Sequence, residues 1–469
     1  MNVQLINSSE RFDILILHGI ADLARERQTT VRHLFALEKY SVGHRFAYHY
    51  IGDPVTDALR SIPFDIVVLD VTFLCCRWAR PRSAFTEVKK RYEWLQNHGA
   101  FIAAFPQDDY DHSDYLDEWL AELGVGALFT VLREHRKVLY PRLLARGTPI
   151  FSALTAYIDE GDIELYRTHC VPFRQRTIDV GYRVRRLPAN FGRFGILKSE
   201  LGRVFAKVAD GCAKLDISDD PKDAIYGDLW PKFLGNCRFT LGSESGSSIL
   251  DPKGEVRDRV EAYIANNAQA SFDEIAGACL SPQDESCIFS AISPRIFEAA
   301  MAGCCPILVE GTYNGLIEKE EHFIPVKRDL SDIDAAVARL VELDNAEKMS
   351  VRFQDAILGN QDLRYQKWVP SVIRTFEQQN ITKTAKSLSD WEFAFRLEEH
   401  RSAIRRHRAH RIAELEEQLR LLGNEAEVER HRLLARLAES DNPKREPEIL
   451  PRPGLTNFVS RAVRRLLPR

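Results

Sequence analysis

The chain has few of the features that would place it in a specialised protein class. No apolar run is long enough to span a membrane, and the first residues, MNVQLINSSERFDILIL, lack the basic start and long apolar core of a signal peptide. The nine cysteines form no CxxC pair, so we expect no metal site, and most of them lie in apolar runs. A net charge of −4 gives no sign of nucleic-acid binding. We therefore expect a protein of the reducing cytoplasm with no nucleic-acid partner.

The composition is that of an ordinary globular protein, with 45% apolar and 28% charged residues in 469 positions. Short apolar runs alternate with amphipathic stretches through the first part, which predicts parallel strands at 12–17, 45–51, 64–71, 100–105 and 127–132. The pattern loosens near 157–176 and then resumes. We predict an α/β protein with two Rossmann-like domains, at 1–165 and 166–380, followed by a helical extension at 381–440 and a linker and tail at 441–469.

Polar residues follow two strands of the predicted first domain. His18 ends the first strand, and Asp108 and Asp109 lie in the loop after the fourth. Carboxyl ends of parallel strands are where α/β folds bind ligands, so these residues are candidate catalytic groups, with an Asp as base for an acceptor hydroxyl. The simpler interpretation, a solvated acidic loop and a strand-end histidine, stays open.

The most informative stretch is 290–311, SAISPRIFEAAMAGCCPILVEG. Ser293 is a good N-cap, and Pro294 suits the first helical position. Gly303 ends the predicted helix and a buried strand follows at 305–309. Arg295 and Glu298 are three residues apart and share one helix face, where one can bind phosphate oxygens and the other can accept hydrogen bonds from two hydroxyls.

This stretch resembles the nucleotide-binding motif of GT-B glycosyltransferases, especially the family 4 type and its CgeB-like relatives, and the resemblance extends weakly over roughly 170–380. It implies that Glu298 holds the ribose of a nucleotide-sugar. Family members usually carry a second Glu eight positions earlier, near the donor sugar, and Ser290 stands there in this chain.

The resemblance implies further donor contacts in the second domain. Candidates for the Arg/Lys pair that grips the diphosphate are Arg183, Arg185 and Lys198, and we expect Lys198 to open a helix. The loop at 242–251 resembles the donor-facing loop, with Gly246 in it and Glu244 as a substitute for the missing acid. The loop after strand 305–309 would contribute Glu310, Gly311 and Tyr313. A basic loop and an ordinary connection are the alternatives.

The C-terminal part changes in character. Residues 388–439 are rich in Arg, Glu, Leu and Ala, which predicts helix, either as a short coiled-coil seam of Ile412, Leu415, Leu419 and Leu422 or as a hairpin broken near Gly423. An oligomer through 388–440 would use that seam. Residues 441–454 form a Pro-rich linker, and 455–469 combine six bulky apolar residues with four arginines. This pattern predicts a basic amphipathic helix that contacts an anionic membrane surface, such as the inner membrane face, or a partner. A disordered basic tail is the alternative.

The resemblance therefore implies a metal-independent glycosyltransferase of hexosyltransferase type, without a cofactor, that uses a nucleotide-sugar donor and a sugar, lipid-linked or protein acceptor. Retention of configuration is the family 4 expectation. Two alternatives remain: a non-catalytic GT-B scaffold that binds a sugar nucleotide or a partner, which Ser290 favours slightly, and a sugar-nucleotide epimerase on the same fold.

Overall fold

The computed structural model describes residues 11–23, 26–379, 381 and 388–439, with side chains up to residue 422. Contacts divide the chain into two units. The first takes in the described residues of 1–52, 63–78 and 88–387, and the second those of 53–62, 79–87 and 388–469. The strands of both main sheets thus lie within the first unit, while 53–62 and 79–87 of the predicted first half belong to the second.

The first sheet has six parallel strands in the order β2-β1-β3-β4-β5-β6. Five were predicted, and the structure adds β6. Inner positions of these strands are buried Ile, Leu, Val and Ala, as expected where helices cover both faces of a parallel sheet. The strands are β1 Asp13–His18, β2 Arg45–Tyr50, β3 Ile66–Leu69, β4 Phe101–Ala104, β5 Ala127–Thr130 and β6 Ile150–Ser152.

Helices connect these strands. They are α1 Gln28–Tyr40, α2 Asp57–Arg60, α3 Val71–Leu74, α4 Arg82–Arg91, α5 Ser113–Glu122, α6 Arg136–Leu139, α7 Pro141–Ala145 and α8 Glu160–His169.

The second sheet has five parallel strands in the order β13-β12-β9-β7-β8. Two further strands, β10 and β11, form a separate antiparallel ribbon in which Gly246 pairs with Ser290. The sequence had predicted a plain loop for β10. The strands are β7 Ile178–Arg183, β8 Leu215–Ser218, β9 Cys237–Gly242, β10 Ser245–Ser247, β11 Phe289–Ala291, β12 Cys305–Val309 and β13 Ile324–Val326. The two sheets and the helical C-terminal region confirm the expected α/β architecture.

The helices of the second half and the C-terminal region follow the same alternation. They are α9 Gly192–Val208, α10 Leu229–Leu234, α11 Glu255–Asn266, α12 Phe272–Ile275, α13 Pro294–Met301, α14 Ile333–Ala338, α15 Leu343–Leu358, α16 Tyr365–Gln378 and α17 Asp390–Glu439.

The start of α9 differs from the prediction, which placed it at Lys198. The helix begins six residues earlier because distant side chains satisfy its first N–H groups. Asp284 accepts from the amide of Arg193 at 3.1 Å, and the Ser248 hydroxyl accepts from the amide of Phe194 at 3.1 Å. Capping groups so far away in sequence leave no local signal.

The last helix of the first unit, α16, returns to the first sheet. Trp368 stacks on Tyr157 with ring centroids 4.5 Å apart and on His33 at 5.3 Å. Phe376 meets Phe129 edge-on at 6.3 Å. These aromatic contacts join the two halves of the first unit in one apolar core.

The second unit is built around α17, which continues without a break through Gly423, so the hairpin alternative is wrong. Thr56 lies 2.8 Å from His400, and Asp53 accepts from Arg408 at 2.7 Å. Ile412 and Leu419 of the predicted seam are exposed. The tail at 455–469 lies outside the described residues. Among the described residues, no helix has the length and the hydropathy that a membrane span requires.

Candidate functional site

Helix α13 takes the form that its sequence predicts. Ser293 occupies the N-cap position with extended backbone, although its hydroxyl makes no capping hydrogen bond, and Pro294 follows at the first helical position. Gly303, with φ of 61°, ends the helix in the left-handed region that glycine tolerates. The C-terminus is held by the buried Arg176, which donates to the carbonyl oxygens of Ala302 and Gly303 at 2.8 Å each.

Arg295 and Glu298 are both half-buried on α13. The Arg295 guanidinium lies over the ring of Trp230, 5.2 Å from its centroid. Its Nη1 atom is buried without a hydrogen-bond partner among the described residues. Burial lowers the pKa of Arg295 and raises the pKa of Glu298, whose Oε2 accepts from Trp230 Nε1 at 2.9 Å. The site therefore contains a cation with an unused donor beside a carboxylate.

Lys198 belongs to the same site. It donates to the hydroxyl of Ser245 in the β10 strand. Burial, together with the charges of Arg295 and Arg27, lowers the pKa of Lys198 to about 7, and the charge of Asp108 acts in the opposite direction. Residues from the carboxyl ends of both sheets thus act on one another, which is where the strand-end rule placed them.

The loop that carries Asp108 is held by a buried arginine, which binds its backbone carbonyl groups. Arg77 donates to the carbonyl oxygens of Gln107 and Asp108 at 2.9 Å and of Asp111 at 3.0 Å. Asp108 has φ of 52°, and its carboxylate accepts from the Tyr110 hydroxyl at 2.7 Å. The backbone carbonyl and the carboxylate of Asp108 are thus both held by hydrogen bonds.

Asp109 and His18 are placed differently. Asp109 is fully buried, its pKa is raised by burial, and it accepts from the hydroxyls of Thr130 and Tyr140. The structure gives Asp109 a part in holding the loop, and its catalytic role stays a prediction. His18 ends β1, where its Nδ1 accepts from the Ile20 amide at 3.3 Å. Its ring lies 5.9 Å from that of Tyr50.

Among the three predicted diphosphate residues, Lys198 lies where the charge of Arg295 helps to lower its pKa. The Arg183 side chain donates to the carboxylate and to the carbonyl oxygen of Asp216. Its guanidinium lies over the Phe233 ring, 4.7 Å from the centroid. Arg185 is exposed just beyond the end of β7. Arg183 therefore has an acidic partner of its own on the neighbouring strand β8.

The two predicted donor loops are joined by Glu244. Its carboxylate is buried and accepts from the Tyr313 amide at 2.8 Å and the Thr312 hydroxyl at 3.0 Å. A β-carbon on Gly311 would lie 2.6 Å from Glu244 Oε2, so the chain passes close to that carboxylate.

The remaining residues of these loops have several partners. Tyr313 is fully buried and donates to the Val309 carbonyl at 2.6 Å. Glu310 accepts from Lys319 at 3.0 Å. Gly246 allows the β10–β11 pairing, because a β-carbon there would lie 1.7 Å from the Phe289 carbonyl oxygen.

Sequence reasoning missed three residues that shape this site: Arg27, Trp230 and Arg77. Arg27 occupies the N-cap position of α1, and Trp230 lies on the short helix α10. Neither stands in the recognised motif, so the sequence offered no signal for them. Arg77 follows a Cys-Cys pair in a short apolar stretch, where a lone arginine gives a weak sign of burial.

No set of three or more metal-ligating His, Cys, Asp or Glu side chains is found in the part of the chain that the structure describes. The charges that gather at the site are those of Arg27, Lys198 and Arg295, opposed by Asp108 and Glu298. The cations of such a set can bind an anion, and its carboxylates can accept hydrogen bonds from hydroxyl groups.

No family model and no curated protein matches the chain. Similar solved structures include HepE from Anabaena in complex with UDP-glucose, with 8% identity and a TM-score of 0.44 over 78% of this chain and 100% of HepE. A glycosyltransferase from Rickettsia africae shows 10% identity and a TM-score of 0.39 over 79% of this chain and 98% of that glycosyltransferase. The trehalose-6-phosphate synthase OtsA shows 11% identity and a TM-score of 0.41 over 78% of this chain and 99% of OtsA. Because these similarities are weak, the function has to be argued from the side chains.

Proposed function

We propose that this protein is a glycosyltransferase that moves a sugar, of the hexosyl type, from a nucleotide-sugar to an acceptor. One observation carries the proposal. Lys198 is a buried cation near Arg295 and Arg27, and its burial, together with the charges of these two arginines, lowers the pKa of Lys198 to about 7. Gathering like charges costs free energy, and a bound dianion such as a diphosphate removes that cost.

The arrangement fits the charge that builds up during transfer. When the bond to the sugar breaks, negative charge develops on the departing diphosphate. Arg295 Nη1 has an unused donor capacity among the described residues, and α13 begins beside it with its N-terminal dipole. Glu298 lies one turn further on and would accept hydrogen bonds from the ribose hydroxyls. Since these groups supply the positive charge, we propose a metal-independent reaction.

On the acceptor side, Asp108 is the better placed of the two predicted aspartates, because its charge reaches Lys198 while Asp109 is enclosed. Asp108 would orient or deprotonate an acceptor hydroxyl. Retention of configuration, the family 4 type and a cytoplasmic location follow from the resemblance and belong to the same proposal.

The direct test is incubation of the purified protein with a panel of nucleoside diphosphate sugars, with released nucleoside diphosphate measured in the presence and absence of simple glycosides. Release that depends on the protein and is lost in the Lys198→Met, Arg295→Met double variant supports the proposal. Absence of binding to every nucleoside diphosphate and nucleotide-sugar in calorimetry contradicts it.

A non-catalytic scaffold that binds a sugar nucleotide is the second candidate, and two observations favour it. Ser290 stands where relatives have an acid, and it lies within the β10–β11 ribbon. Glu244, the suggested substitute, is bound to Thr312 and Tyr313. Tight nucleotide binding without hydrolysis or transfer across the acceptor panel would select the scaffold.

A further inference from the structure

We propose that Trp230 is a positioning residue of the nucleotide site, which fixes the Glu298 carboxylate for the ribose and covers Arg295 with its ring. This inference rests on the proposed function. It names a residue outside the recognised motif, on a different helix from Glu298.

The contact is a directed one. Trp230 Nε1 donates to Glu298 Oε2 at 2.9 Å, and the indole has no other polar hydrogen to offer. One carboxylate oxygen is thereby fixed, which leaves Oε1 for a hydroxyl pair. The same ring lies 5.2 Å from the Arg295 guanidinium, a cation–π distance. A single side chain therefore contacts both groups that the nucleotide would need.

The ring is itself supported. It stacks on Phe233 with centroids 5.6 Å apart and an interplanar angle of 27°, and both rings pack against the larger apolar core. Arg183 lies over Phe233 at 4.7 Å. Stacked rings of this kind have few alternative rotamers, so the indole N–H keeps its direction.

The hydrogen bond also favours the ionised form of Glu298. Burial raises the pKa of this carboxyl, while the Trp230 N–H and the charge of Arg295 lower it. Only the ionised carboxylate has acceptors and no donor, as binding to two hydroxyl groups requires. Without the indole N–H, the carboxyl would take up a proton at a higher pH, and the ribose would lose its acceptor.

The test compares wild type with Trp230→Phe, which keeps a ring but removes the N–H, and with Trp391→Phe as a control at an exposed tryptophan of the second unit. Titration calorimetry with UDP, GDP and ADP measures affinity between pH 5 and pH 8. We expect Trp230→Phe to bind the preferred nucleotide about tenfold more weakly at pH 7 and to lose affinity at a higher pH than wild type on acidification. The control should match wild type.

A ligand-free measurement separates this inference from the proposed function. The indole ¹⁵N–¹H resonance of Trp230, assigned by its loss in Trp230→Phe, should shift with pH in wild type and stop shifting in Glu298→Gln. Equal nucleotide affinity and pH dependence in Trp230→Phe and wild type would overturn the positioning role. Failure of wild type to bind these three or any other nucleoside diphosphate or nucleotide-sugar would instead overturn the proposed function, even if the resonance titrates.

Discussion

Arg176 donates to the carbonyl oxygen of Ala302 at 2.8 Å, directly at the C-terminus of the helix that carries Arg295 and Glu298. It also donates to the carbonyl oxygens of Gly303 and Cys237 at 2.8 Å. A buried cation at this end complements the helix dipole and satisfies carbonyl groups that have no partner within the helix. The orientation of the site helix is thus set from its far end.

The first prediction concerns this contact. Arg176→Met should lower the free energy of unfolding by about 1–3 kcal/mol, because several buried carbonyl oxygens lose a charged donor. Urea unfolding followed by circular dichroism measures it. Arg203→Met, at an exposed arginine of α9, is the control and should stay within about 0.5 kcal/mol of wild type. Equal stability of both variants would show that Arg176 does not hold the helix.

Glu298 is the subject of the second prediction. Glu298→Ala should weaken nucleotide binding by about 1.5–3 kcal/mol, since a carboxylate that holds two hydroxyls makes charge-assisted hydrogen bonds. Calorimetry measures the loss. Glu255→Ala, at an exposed first-turn position of α11, is the matched control. If a folded Glu298→Ala variant binds as tightly as wild type, the ribose assignment is wrong.

The third prediction is that nucleotide affinity depends on pH through Lys198. Its pKa falls from the usual 10.5 to about 7 in the folded protein, so it is mostly neutral above pH 7. A bound diphosphate favours the charged form, which means that binding above pH 7 takes up a proton. Affinity should therefore be highest near pH 7 and fall by up to about tenfold per pH unit above it.

Calorimetry in buffers of different ionisation enthalpy measures that proton uptake directly. Lys198→Arg keeps its charge throughout and should show a flat profile between pH 7 and pH 9. A wild-type affinity that does not change over this range would contradict the assignment of Lys198 to the diphosphate.

The fourth prediction concerns metal ions. Since arginine, lysine and a helix N-terminus would stabilise the departing diphosphate, activity should survive an excess of chelator. Initial rates with EDTA and with added Mg²⁺ or Mn²⁺ measure it. Strict dependence on either ion would count against the proposed mechanism.

The tail at 455–469, which lies outside the described residues, gives the fifth prediction. Near an anionic surface each basic residue contributes about 1 kcal/mol to binding. Deleting 453–469 should reduce co-sedimentation with anionic vesicles and leave activity on soluble acceptors unchanged. Binding of the full chain should also weaken as salt increases. Equal pelleting of both proteins would refute membrane attachment through the tail.

Much of the fold follows from sequence because its signals are local. The helix before the strand at 305–309 begins at Pro294 and ends before Gly303 as predicted, and Ser293 takes the N-cap position although its hydroxyl makes no capping hydrogen bond. Signals fail where the partner is distant. Asp284 caps α9 from about 90 residues away, so the helix start was misplaced.

The site shows the same division. Glu298 and Arg295 were identified from one short motif, but Trp230 contacts both of them from 65 or more positions earlier in the chain. Arg27, at the N-cap position of α1 in the first half of the chain, helps to lower the pKa of Lys198. The sequence also could not show that Arg183 would be bound to Asp216, because that pairing depends on β7 and β8 lying side by side.

The make-up of the second unit has a consequence for how the chain is synthesised. Residues 53–62 and 79–87 leave the ribosome roughly 300 residues before α17, with which they share this unit. At typical rates of translation, this corresponds to a wait on the order of 15–60 s. During that interval Asp53 and Thr56 have neither Arg408 nor His400 available. A premature stop before residue 390 would leave them without these partners permanently, so nascent chains of that length should be preferred clients of chaperones.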